Sequence, residues 1–220
     1  RYIEFHYPGS TIDVAEIDPG VTEAAVRAFG LSRETRINTI TMDGRNYLNE
    51  LVENKKLKTT TPVYDLIYGD AFGDSFIPFQ VVTKECNDHI YSLLADDGVY
   101  MINVIDTYKS SAFLGAMIQT MNQTFDFTYV VSTYEPAPVG RNFIILGAKQ
   151  EIRIEEVRGN KQVEDLNIWI FNDEEKEKAV GKAKGITLTD NYGPVEQLLS
   201  PMVFLRSSYL LAKEYIQKGD

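Results

Sequence analysis

Four carboxylates stand where an apolar run gives way to a turn or helix: Glu16 and Asp18 in VAEIDPGV, Asp43 in TITMDGRN, and Asp70 in YDLIYGDAFGD. An ionised carboxylate at such a junction has two uses. It can accept from the hydroxyls of a sugar or the amine of a base, or serve as a reacting group, or it can turn back on its own chain and cap the next helix. For Glu16 the spacing fits a ribose contact and a solvated strand end or cap equally. Asp18, directly before Pro19, reads first as an N-cap. Asp43 with Gly44 fits either an exocyclic adenine amine, with the glycine allowing close approach to the ring, or a plain turn. Asp70 is either the reacting group or a cap.

Other chemistry is sparse. Cys86 is the only cysteine, and His6 and His89 have no Cys or His companions at ligand spacing. No internal disulfide can form, no metal site is expected, and a reducing, cytoplasmic compartment fits. Cys86 itself reads as a small buried apolar residue of a helix.

The elements that must carry these acids alternate. A helix in RYIEFHYP opens the chain, and STIDVAEIDP is a strand. Pro19 starts a helix that Gly30 stops. TRINTITMDG is a second strand followed by the helix RNYLNELVE, and VYDLIYGD is a third strand. The amphipathic run VVTKECNDHIYSLLADDG predicts a helix ending at Gly98, and GVYMINVID a fourth strand. A helix over SSAFLGAMIQTMNQTF leads to FTYVVSTY and RNFIILGAK, which suit an antiparallel hairpin. Such alternation predicts an α/β fold with a mainly parallel sheet covered by helices on both faces. In such sheets ligands bind beyond the carboxyl ends of the strands, where these acids fall.

After residue 150 the pattern loosens. EIRIEEVRG and VEDLNIWIF read as strands, DEEKEKAVGKAKG as a charged helix or solvated loop, and PMVFLRSSYLLAKEYIQK as an amphipathic helix in which Tyr209, Leu210 and Leu211 pack. The expected domains are 1–149, nucleoside-binding and catalytic, and 150–220, an extension packed on it. The 22 basic and 32 acidic residues give a charge of −10, which opposes nucleic acid and anionic membranes and favours a cationic ligand. No run approaches the ~18 apolar residues of a membrane span.

Taken in order, VAEIDPGV, INTITMDGRNYL, YDLIYGDAF and LLADDGVYMINV resemble the spermidine/spermine synthase family of aminopropyltransferases, over roughly residues 1–149. The later LTDNYGPVEQLL resembles the tail of its bacterial branch. The resemblance implies a Rossmann-like, methyltransferase-type fold, here without the family's first strand and glycine-rich loop. It implies that Glu16 holds the ribose of decarboxylated S-adenosylmethionine, that Ile17 lies against the nucleoside, and that Asp43 with Gly44 recognises the adenine. Asp70 would be the catalytic carboxylate, and Asp74, Asn103 and Tyr134 would hold the polyamine. The family tends to read Asp-Ser-Ser-Asp-Pro where this chain has DAFGD, and glutamine where Asn103 stands. Decarboxylated S-adenosylmethionine would be a co-substrate leaving as methylthioadenosine, with no true cofactor. The implied partner is a diamine such as putrescine; a homodimer and fusion to a membrane segment outside this chain are further expectations.

Tyr68, Phe72, Phe76, Phe79 and Tyr134 are candidates to line a channel for the methylene chain, although Tyr68 and Phe79 read first as core packing. Two other functions fit the same residues: a small-molecule methyltransferase using the same nucleoside site, and a catalytically silent nucleotide-binding or interaction domain.

Overall fold

The computed structural model describes residues 1–70, 77–107, 112–133, 140–154, 156 and 167–217, the side chains of 206 and 209–217 excepted. The chain forms two compact units, Arg1–Thr61 and Pro62–Asp220.

In the first unit a short helix α1 (Tyr2–His6) precedes strand β1 (Ile12–Glu16), helix α2 (Pro19–Ala28), strand β2 (Ile37–Thr41) and helix α3 (Gly44–Lys56). β1 and β2 pair in parallel from Ile12 opposite Ile37 to Glu16 opposite Thr41. Local chemistry sets the boundaries. Asp18 caps α2 by accepting from the Gly20 amide at 2.7 Å, with Pro19 in the first turn, where its missing N–H costs nothing. Gly30 takes φ +69°, the left-handed conformation that glycine adopts without Cβ strain, and it lets the Leu31 amide return to the Ala25 carbonyl at 3.0 Å. Glu4 ties α1 to the start of β2 by accepting from the Thr35 hydroxyl and the Arg36 amide. Those two donors hold its carboxyl below the usual glutamate range. Among the described residues of this unit only Leu51 and Val52 are buried.

The second unit holds strands β3 (Tyr64–Gly69), β4 (Leu94–Asp106), β5 (Phe127–Thr133), β6 (Arg141–Ala148) and β7 (Ile168–Ile170), in the order β3-β4-β6-β5-β7. β3 and β4 are parallel, and the remaining pairings are antiparallel, including the expected β5–β6 hairpin. Its helices are α4 (Lys84–Leu93), α5 (Phe113–Met121), α6 (Asp173–Lys182) and α7 (Val195–Gln217). Alternation along β4 buries Tyr100, Ile102, Val104 and Asp106 on one face. α5 is buried on nearly all sides, at Phe113, Leu114, Ala116, Met117, Ile118 and Met121, as a helix with no polar face must be. Gly115 lets α6 approach, because a Cβ there would lie 2.0 Å from the Ala179 carbonyl oxygen. The charged stretch after Asn172 is a helix, α6, started by a capping box between Asn172 and Glu175.

Two expectations are corrected. The helix predicted to reach Gly98 ends at Leu93: Leu94 turns extended (φ −74°, ψ 145°) and already pairs with Tyr64, so LADDG belongs to β4 across an irregular register. EIRIEEVRG is not a strand in its described part, where Ile154 and Glu156 are helical and the Ile152 amide donates to the Tyr129 hydroxyl at 3.0 Å. Cys86 is buried, as expected. Among the described residues, no helix is long and apolar enough to cross a membrane.

Candidate active site

In the first unit the strand register brings Glu16 and Asp43 to one end of the β1–β2 pair. Met42 donates its amide to the Glu16 carbonyl at 3.2 Å, so the residue next to Asp43 is hydrogen-bonded to the last residue of β1. Glu16 is half-buried, and its Oε1 accepts from the Asp18 amide at 2.9 Å. This leaves Oε2 with no hydrogen bond among the described residues. Ile17 beside it is 67% exposed, an apolar side chain held in solvent next to a carboxylate. Asp43 caps α3, its Oδ1 accepting from the Asn46 amide at 3.0 Å. The space into which a Gly44 side chain would project is open to at least 4 Å. A carboxylate with one free oxygen, an exposed aliphatic surface and an unobstructed glycine suit a nucleoside: sugar hydroxyls donate to the first, and a flat base lies on the others.

In the second unit Asp70 follows β3, and the register Gly69 opposite Ile102 sets it beside Asn103 of β4. Asn103 donates through Nδ2 to Asp70 Oδ1 at 3.2 Å. Asn103 Oδ1 is buried and has no hydrogen-bond partner among the described residues. Its orientation follows from chemistry. A carboxylate only accepts, so the amide must turn its NH₂ to Asp70, and its carbonyl oxygen is left over. A buried acceptor without a donor costs about 1–3 kcal/mol, a cost that a ligand N–H would remove.

Gly69 fixes the backbone just before Asp70. A Cβ there would lie 2.7 Å from the Tyr100 hydroxyl oxygen and 3.2 Å from Ile102 Cγ1. The Tyr100 ring can therefore press on this turn only because residue 69 is glycine. Burial pushes the Tyr100 hydroxyl well above the ordinary tyrosine range, keeping it neutral.

Tyr68 and Phe79 do not fill the core as first read: they are 59% and 42% exposed. Tyr68 lies on β3, an outer strand of its sheet, and points to the opposite face from the buried partners of Gly69. Phe79 sits on a single 3₁₀ turn (Phe79–Val81). Phe72, Asp74, Phe76 and Tyr134 lie outside the described residues. The sequence reading passed over a fifth acid at a strand end, Asp106. It is fully buried and accepts from the Thr107 and Leu114 amides at 2.6 and 2.9 Å, so it ties the end of β4 to the first turn of α5. Its position as the last residue of β4 was the available signal. Among the described residues no cluster of His, Cys, Asp and Glu could hold a metal ion.

The solved structures that resemble this chain include a probable spermidine synthase from Corynebacterium glutamicum ATCC 13032, with a TM-score of 0.65 at 19% identity over 88% of this chain and 68% of that one. Human methyltransferase-like protein 13 in complex with SAH superposes with a TM-score of 0.59 at 21% identity, over 90% of this chain and 82% of that one. The fold is thus the Rossmann-like one shared by spermidine synthases and methyltransferases, with a mixed sheet. No family model matches the chain. Among curated proteins, a polyamine aminopropyltransferase of Vibrio vulnificus (strain CMCP6) is 35% identical over 105 residues, 47% of this chain and 32% of that protein. The human eEF1A lysine and N-terminal methyltransferase is 30% identical over 110 residues, 47% of this chain and 15% of that protein. The matches therefore span about a third of the first relative's length and less than a sixth of the second's.

Proposed function

We propose that this chain is the catalytic part of an aminopropyltransferase that moves the aminopropyl group of decarboxylated S-adenosylmethionine to a diamine such as putrescine. The observation that carries the reading is the Asp70–Asn103 pair: a carboxylate and an orphaned carbonyl oxygen side by side, two acceptors for the N–H groups of one amine. An alkyl amine has a reference pKa of ~10.4 and is almost wholly protonated at neutral pH. Asp70 takes the ammonium proton or passes it to water, and Asn103 Oδ1 holds a remaining N–H so that the lone pair faces the donor. The nitrogen forms a bond to the methylene carbon next to the sulfonium. The carbon–sulfur bond breaks, its electron pair stays on sulfur, and neutral methylthioadenosine leaves. Glu16 Oε2 takes the ribose hydroxyls, Ile17 lies against the nucleoside, and Asp43 with Gly44 reads the adenine. Asp74 and Tyr134 complete the grip on the polyamine.

A second reading is supported by the relatives. The human curated protein is a lysine and N-terminal methyltransferase, so it too alkylates amine nitrogen, and the solved human methyltransferase-like protein holds SAH. An amine acceptor site of this kind serves either alkyl group. The test gives the full polypeptide that carries this chain decarboxylated S-adenosylmethionine or S-adenosylmethionine, with putrescine and other amines, and identifies products by mass. An aminopropylated amine with the first donor supports the proposal. A methylated product with the second donor alone replaces it with the methyltransferase reading, and no product with either favours the silent domain.

A further inference from the structure

The sheet face that carries Asn103 is apolar well beyond the two residues the proposed chemistry uses. Along β4 successive side chains alternate between two faces. Tyr100, Ile102, Val104 and Asp106 are buried on one, whereas Met101, Asn103 and Ile105 on the other are half-buried. Register fixes what lies beside Asn103 on that second face. Ile144 of β6 stands directly opposite Asn103, and Val131 of β5 stands directly opposite Ile144. Residues paired in this way share a face, with Cβ atoms about 4.5–5.5 Å apart. Asp70, Asn103, Ile144 and Val131 therefore form one row across the sheet, its first two members joined by the Asn103 Nδ2 hydrogen bond. Ile144 and Val131 are half-buried, while their chain neighbours Phe143, Ile145 and Val130 are fully buried on the opposite face.

The row is polar at one end and aliphatic along the rest. Its polar end offers the Asp70 carboxylate and the Asn103 Oδ1 that has no partner among the described residues. From there it presents methyl and methylene surface, bordered on β4 by Met101 and Ile105. We infer that the preferred acceptor is a primary amine with an unbranched apolar chain longer than that of putrescine, laid from Asn103 across Ile144 to Val131, and that these two aliphatic side chains select it. The second ammonium of putrescine would come down on that aliphatic surface, where an unpaired charge is costly. Further methylenes gain there by leaving water. Neighbouring strands are about 4.8 Å apart, so the path from Asn103 to Val131 is about 10 Å and matches an extended chain of about seven or eight carbons. The inference rests on the amine-transfer reading for the reacting nitrogen, and it holds for either alkyl group transferred.

The test measures kcat/KM in the full polypeptide for putrescine, butylamine, hexylamine and octylamine, with whichever donor supports transfer, in the unmodified protein, Ile144→Thr and Val131→Thr. Threonine keeps the branched shape that suits both strands and brings a hydroxyl to the row. In the unmodified protein each added methylene is expected to raise kcat/KM about twofold to fourfold, so octylamine should exceed butylamine and putrescine by more than about tenfold. Val131→Thr should leave butylamine within about twofold and cut the octylamine-to-butylamine ratio about threefold or more, through KM. Ile144→Thr should lower butylamine and octylamine alike, by about threefold relative to putrescine. Each ratio is taken within one protein, so partial unfolding of a variant leaves it readable. Putrescine preferred over octylamine by the unmodified protein, or a ratio left unchanged in either variant, overturns the inference. If the unmodified protein transfers nothing to any amine, the functional reading fails by itself, and calorimetry with the same amines decides the row: affinity that rises from butylamine to octylamine and falls back in Val131→Thr supports it, and any other pattern overturns it.

Discussion

The two units place acids at strand ends in the same way and use them differently. In Arg1–Thr61 the carboxylates of Glu16, Asp18 and Asp43 each accept from a backbone amide two or three residues on, so they organise the turns and keep at most one oxygen for a ligand. In Pro62–Asp220 Asp70 is met by a side chain from the neighbouring strand, and that side chain has an acceptor left unsatisfied among the described residues. A capping acid needs only its own segment. An acid held from a neighbouring strand needs a partner brought by tertiary structure, and the denser second unit supplies one. The packing differs in the same direction: Leu51 and Val52 are the buried described residues of the first unit, whereas α5 alone buries more than that in the second.

The contrast can be broken most decisively at Asp70. Asp70→Asn should lower turnover by about 10²–10⁴-fold, the usual worth of a positioned base, while methylthioadenosine affinity measured by calorimetry stays within a few fold; an active variant would remove Asp70 from the chemistry. Packing gives the next effect. Met117→Ala, at a fully buried position of α5, should cost about 2–5 kcal/mol in denaturant unfolding. Val14→Ala in β1, where Val14 is 40% exposed, should cost under about 1.5 kcal/mol. Equal costs would erase the difference between the units.

Within the first unit the acid proposed to meet the ribose should separate from the cap. Glu16→Gln should weaken methylthioadenosine binding by about 1.5–3 kcal/mol, the worth of hydrogen bonds to a charged acceptor. Asp18→Ala should cost about 1 kcal/mol of stability through its lost cap and leave binding unchanged. Equal affinity for Glu16→Gln and the unmodified chain would refute the ribose contact. The smallest effect is at Glu4. Its folded pKa is lowered by the Arg36 amide and the Thr35 hydroxyl, so its contribution is present above the unfolded value and lost as pH falls through the folded one. Exchange protection of the Arg36 amide should decline as the pH falls below the usual glutamate range, and protection that persisted throughout would show that the α1 tie does not depend on the charge.

Much of this was legible in the sequence because its causes are local. Asp18-Pro19 and Gly30 bracket α2 through groups within a few residues, and the two periodicities separate strands from helices. The junction at Leu93–Leu94 was misread because LADDG continues a helical pattern, and only pairing with Tyr64 converts it to strand. Tyr68 and Phe79 were misread for a related reason: an aromatic beside a strand is buried only if something covers that face. Ile144 carried no local signal of its place. Only the β4–β6 register sets it opposite Asn103, and the orphaned oxygen of Asn103 is equally invisible without the register that sets Asn103 beside Asp70.

A double-mutant cycle on Asp70 and Asn103, read as kcat/KM for the diamine with Asp70→Asn, Asn103→Ala and the double variant, bears most directly on the claim that the two residues hold one amine. Groups sharing a ligand atom should couple by about 0.5–3 kcal/mol, so the double variant should lose much less than the single losses combined. Losses that simply multiply would mean that the two side chains act on separate events, and the shared amine site would be wrong.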